Sequence, residues 1–238
     1  LSNQQIALTS PANEYVSSLI NQLAARHISD AKEFARRAIQ TIKGHLLHKP
    51  VEWTASDMNI AFTGAVFLRA IYDHAILVGM VSESNWIEDH KKVEKIWTRF
   101  CDCRERFQFA AGCINGPIAE QVSQFLAYVE NTFLERFGSG HYMSCALIFE
   151  KLICSICQSD IRSCEHVPGH LYSGKICTTR AAGAITFPEN GACASLVTVP
   201  RDPRCRVWPW NFDSERRAEV LFMSAFRIDD FMEKDDWN

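Results

Sequence analysis

The chemistry of this chain is densest between residues 154 and 177. There Cys154, Cys157, Cys164 and His166 are spaced as C-x2-C-x6-C-x-H. Thiolate sulfur and imidazole nitrogen are the donors zinc prefers, and four of them close a tetrahedral structural site. A C-x2-C pair brings two thiolates to one ion while turn amides donate to the sulfurs. Cys164 and His166 are alternate residues of an extended segment and so point the same way. Gln158, Ser159, Asp160 and Ser163 give the intervening loop a turn-forming composition. The segment is therefore expected to bind Zn2+ through Cys154, Cys157, Cys164 and His166. The turn backbone around Ile156 and Gln158, and the Tyr172 side chain, are expected to support those ligands. His170 or Cys177 can stand in for His166 in this scheme. Four protein donors leave no position for water, so the expected metal is structural rather than catalytic. A redox C-x2-C needs a strand-to-helix thioredoxin setting and leaves Cys164 and His166 unexplained.

A second group with chemical potential is Arg69-Ala70-Ile71-Tyr72-Asp73-His74. An imidazole can move a proton from a ribose 2′-hydroxyl, and a guanidinium can steady charge on a phosphorane. The same residues also read as an i,i+4 ion pair, Arg69 with Asp73, beside a histidine bonded within a bundle. R-x4-H in an all-helical setting resembles the HEPN families of helical nucleases. The resemblance covers the motif and the helical half of the chain. It implies metal-independent RNA cleavage by Arg69 and His74, with their counterparts meeting them across a dimer. The chain departs from that pattern at Ala70, where many members carry a polar residue. It also departs in the apolar continuation Ala75-Ile76-Leu77-Val78. Cys164-Glu165-His166-Val167-Pro168 resembles the start of a metal-finger nuclease of the HNH type. No histidine follows His170 to hold the catalytic cation that such a nuclease requires. G-x-S-x-G, G-x-x-x-x-G-K-[ST] and H-E-x-x-H are all absent.

The 238 residues carry a net charge of −3, which gives no global pull towards nucleic acid or membrane. Local features do bear on partners. Arg26, Lys32, Arg36, Arg37, Lys43 and Lys49 outnumber the acids of one helical stretch, as a phosphate-tracking face or a solvated one would. Arg201, Arg204 and Arg206 stand beside Trp208 and Trp210, a mixture that suits stacking on bases or packing onto a bundle. Ile60–Val81 is the most apolar stretch, but Arg69, Asp73 and His74 interrupt it, so no transmembrane helix is expected. The start of the chain lacks the pattern of a secretory signal. With ten cysteines and a compact donor set, this points to a reducing, cytoplasmic setting.

Helix signals run from the start to Gly138. Ser10-Pro11, Ser29-Asp30, Ser56-Asp57 and the region of Ser84 open four helices, the second ending before Pro50 and the fourth region at Gly116-Pro117, and a fifth runs on to Gly138. Strands are expected at Met143–Ile153, Ala184–Phe187 and Cys193–Val199, with a turn at Pro188–Gly191 and a helix over Ser214–Met223. The predicted architecture is mainly α: an N-terminal helical bundle over residues 1–138. A small α+β zinc-binding module with an acidic tail follows over residues 139–238. The expected role is non-catalytic binding or assembly, with a protein or with RNA or DNA, the apolar bundle being compatible with a homodimer. The alternative is the HEPN-like ribonuclease.

Overall fold

The computed structural model describes residues 10–24, 28–112, 116–145, 147–186, 194–208 and 210. The expected turn at Pro188–Gly191, the helix over Ser214–Met223 and the acidic tail lie outside them. Five helices come first: α1 (Pro11–Ala24), α2 (Ile28–Leu47), α3 (Ala55–Ser82), α4 (His90–Ala110) and α5 (Pro117–Phe137). Strands β1 (His141–Cys145), β2 (Ile148–Cys154), β3 (Leu171–Tyr172), β4 (Lys175–Ile176), β5 (Thr179–Thr186), β6 (Ala194–Val197) and β7 (Arg206–Val207) follow. The protein is thus mainly α, with small antiparallel sheets in its C-terminal part.

α3 is apolar on every side, and a helix of that kind belongs inside. α1, α2 and α4 pack around it, and Phe62, Ala65, Val66, Phe67 and Leu68 are sealed from solvent. By length and composition α3 could cross a membrane, but 67% of its apolar window is buried inside the molecule. α1 approaches it so closely at Gly64 that a Cβ there would sit 2.6 Å from Val16 Cγ1. The cap of α3 is Thr54 rather than the expected Ser56. Thr54 and Asp57 form a reciprocal capping box, with Asp57 as the third helical residue. Likewise α4 starts at His90 under an Asp89 cap, after a short 3-10 turn at Trp86–Glu88 that interrupts the helix expected from Ser84.

The strand expected over Met143–Ile153 is two strands in different sheets. β1 is the centre of β6-β1-β7, whereas β2 pairs with β5 in a separate sheet. The β2–β5 ribbon holds Cys154 opposite Thr179. β3 and β4 form a hairpin whose turn residues, Ser173 and Gly174, have φ of 50° and 77°. Both central residues at positive φ is the requirement of a type I′ turn. Tyr142, Ile176 and Trp208 from the C-terminal part join the helical core.

Candidate metal centre

β2 ends at Cys154, and the chain turns at once. Gln158 N–H donates to Cys154 O at 3.0 Å, and Cys154 N–H donates to Ser159 O at 2.8 Å. Gln158, with φ of 62°, lets the turn close so tightly. Ile156 N–H is aimed at Cys154 Sγ, 3.4 Å away, as expected of a thiolate knuckle. Asp160 then starts a 3-10 turn over Ile161–Ser163 by accepting from Arg162 N–H, and this turn delivers Cys164 and the extended residues after it. The outcome is that the donor atoms of Cys154, Cys157, Cys164 and His166 all lie within 4.8 Å of one another, so the group can hold a metal ion. Cys154 is buried at the base and Cys157 is exposed at the rim.

Electrostatics fit a cation. Burial acts to raise the Cys154 thiol, but the backbone N–H groups of Cys157 and Ile156 outweigh it and hold the thiol at about 7. The Ser159 N–H lowers the Cys157 thiol, with help from His166. Cys164 moves the other way, raised by burial and by the sulfurs of Cys154 and Cys157. Crowded thiolates resist ionising together unless a positive charge sits among them. His166 Nδ1 is buried without a hydrogen-bond partner, a desolvated lone pair that coordination would satisfy. The imidazole is fixed edge-on against the Tyr172 ring, at 4.7 Å and 81°, and Tyr172 Oη accepts from Val167 N–H at 3.0 Å. Ile156, Gln158 and Tyr172 thus each contact a residue of the donor cluster.

The chain matches no protein-family model, no curated protein and no solved structure.

The donor cluster is joined to the helices by the β3–β4 hairpin. Gly174 N–H donates to Asn59 Oδ1 of α3 at 2.7 Å. A Cβ on Gly174 would lie 2.9 Å from Leu46 Cδ2 and 3.1 Å from Met58 Cβ, so the turn rests directly on α2 and α3. Ile176 is buried in the core, and the next residue, Cys177, places its sulfur 3.7 Å from Cys154 Sγ. Cys177 therefore lies beside the cluster. His170 is exposed and outside it, contributing its backbone carbonyl to Cys177 N–H at 2.8 Å.

Arg69 and His74 face different neighbours, being about 140° apart around α3. Arg69 is buried, with Nε 3.5 Å from Asp73 Oδ1 and its guanidinium over the Tyr72 ring. Asp73 is fully buried and also binds Arg99, at 2.8 Å, and Arg106. Sequence order hid this hub, because two of its three arginines come from α4. His74 stands edge-on to Phe125 of α5, and burial holds its imidazole at about 4, so it is neutral at pH 7. Effective proton shuttles operate near their own pKa, and this one is far from it at neutral pH.

Arg204, Arg206, Trp208 and Trp210 of the basic and aromatic stretch lie on the bundle. Arg204 binds Asp102 at 2.7 Å, Asp202 at 3.0 Å and Glu105. Arg206 donates to the carbonyls of Phe137 and Gly138, each at 2.8 Å, closing the end of α5. Its guanidinium also lies over the Trp97 and Trp208 rings. On α2, Arg36 and Arg37 both bind Glu33. A cleft of about 790 Å3 opens beside this region, lined in part by Arg104, Glu130, Tyr142 and Arg201. The Cys101 thiol on its wall is pushed up to about 12 by burial, which makes it a poor nucleophile.

Proposed function

We propose that the chain is a zinc-binding protein with a structural Cys154–Cys157–Cys164–His166 centre, serving a non-catalytic binding or assembly role with a protein partner. The observation that carries this reading is the convergence of four soft donors around one point. The set is closed by protein ligands, so a bound ion would have no open place for substrate water. Zinc there would fix the path of the chain from β2 to the β3–β4 hairpin, and through it the seat of the hairpin on α2 and α3. A protein partner is favoured over nucleic acid by the surface. Leu147, Ile148 and Ile185 are 41%, 50% and 56% exposed at one end of the β2–β5 ribbon. The arginines that would track phosphate on α2 and in Arg204–Arg206 are engaged within the molecule.

Full-length protein purified without added metal is expected to carry one zinc per chain by elemental analysis, and Cys157→Ser is expected to lose it. Single-stranded RNA is expected to stay intact in the presence of chelator. A metal-free wild type, or RNA cleavage that disappears on His74→Ala, would overturn this reading.

A further inference from the structure

Cys177 is 1% exposed, and its sulfur lies 3.7 Å from Cys154 Sγ. That separation is too long for a disulfide. It is the edge of a tetrahedron built on Zn–S bonds of about 2.3 Å, which is roughly 3.8 Å. The backbone of Cys177 is clamped to the loop that follows His166: its N–H donates to His170 O, and its carbonyl accepts from Gly169 N–H, both at 2.8 Å. Ser155 completes the seat, with Oγ donating to Ile176 O at 3.3 Å and accepting from Thr178 N–H at 2.9 Å. Cys177 is thus held against Cys154 by both neighbouring segments. It is a fifth donor beside the four that converge, at ligand-to-ligand distance from Cys154.

We propose that Cys177 is an alternative fourth ligand. The centre can then hold its ion either through three thiolates and the His166 imidazole or through four thiolates that include Cys177. This rests on the metal-binding reading above and adds a second coordination state to it. The two states differ in what they tie together. His166 belongs to a half-buried surface loop, whereas Cys177 directly follows Ile176, whose side chain is in the helical core. Ligation by Cys177 would couple the ion to the bundle, and ligation by His166 would leave that strand end uncoordinated. A centre with a waiting fifth donor can also exchange one ligand for another without passing through a three-coordinate ion.

The test uses the full chain loaded with Zn2+ for X-ray absorption and with Co2+ for visible spectra, in the wild type, His166→Ala, Cys177→Ser and the double variant. His166→Ala decides, since it removes only a half-buried loop side chain. It is expected to keep one equivalent of metal with four sulfur neighbours and no imidazole scattering. Cys177→Ser is expected to keep one equivalent with three sulfurs and one nitrogen. Each single variant should bind zinc within about tenfold of wild type, and the double variant roughly 100-fold more weakly. Loss of metal from His166→Ala, or three sulfurs in it, while the wild type keeps its zinc would overturn the proposal and leave the centre with His166 as its sole fourth ligand. A wild type without metal would overturn both.

Discussion

Phe62, Phe67, Phe100 and Phe133 are fully enclosed by the helices, whereas β5 leaves the last four of its eight residues open to solvent. The bundle gains its stability from apolar burial, at about 25 cal/mol per Å2. Around the donor cluster, by contrast, Cys154, Gly174, Ile176 and Cys177 are the buried residues of the stretch 148–186. Such a region is too thinly packed to be held by its own core. Backbone hydrogen bonds at the knuckle, the docking of the hairpin and the sulfur and nitrogen donors must do what packing does elsewhere. The lesson of the contrast is that one perturbation should divide the molecule: metal matters for residues 148–186, and packing and buried charge for the bundle and the strands that close it.

The largest expected effect comes from stripping the metal. Structural zinc sites contribute on the order of 10 kcal/mol to the folding of the segments that hold them. Chelation of the full chain is expected to leave the helical circular dichroism signal nearly intact. Amide exchange over residues 148–186 should accelerate by roughly 1000-fold or more. Equal acceleration in α3 would erase the division between the two regions.

Next comes the charge hub inside the bundle. Asp73→Ala removes the carboxylate shared by Arg69, Arg99 and Arg106. Uncompensated buried charge typically costs about 3–5 kcal/mol. Denaturant unfolding should show that loss with zinc content unchanged, and a stability within about 1 kcal/mol of wild type, the worth of a surface pair, would contradict it.

A smaller effect follows from pH. Burial holds His74 at about 4 against an ordinary 6.5. Between these values the unfolded chain binds a proton that the folded chain refuses. Stability is therefore complete above 6.5 and falls as the pH drops towards 4, by at most about 3 kcal/mol. His74→Gln should flatten that window, and an unchanged slope in the variant would assign the acid sensitivity elsewhere.

The smallest effect tests the contact between the regions. Gly174→Ala places a Cβ against Leu46 and Met58 at a residue with φ of 77°. A cost of about 2 kcal/mol is expected, read as faster exchange in β3 and β4 with exchange in α4 unaffected.

The donor set was legible in the order of the residues because its chemistry is local. Cys154, Cys157, Cys164 and His166 fall on one short loop, and the turn residues between them dictate how it folds. Helix ends were legible where a glycine or proline marks them, as at Ser10-Pro11 and Gly138. They were misread where two polar residues compete. Thr54 caps α3 because Asp57 can return the hydrogen bond, a pairing that the Ser56-Asp57 doublet obscures. Contacts between distant segments could not be read. Arg99 and Arg106 reach Asp73 only once α4 lies along α3, and Arg204 finds Asp102 from 102 residues away. The split of the expected strand into β1 and β2 has the same origin, since the partners β6 and β5 that draw the halves into separate sheets lie far along the chain.

The indoles that close the bundle carry a practical consequence. Trp208 and Trp210 are stacked at 5.1 Å and 9°, and Trp97 meets Trp208 edge-on at 6.2 Å. Chromophores so near one another share their excited states, and Arg206 lies over two of them. The seam between α4 and the chain beyond Pro203 thus has its own optical signature, a near-ultraviolet dichroic couplet that would vanish on separation. It reports on that junction with no label attached.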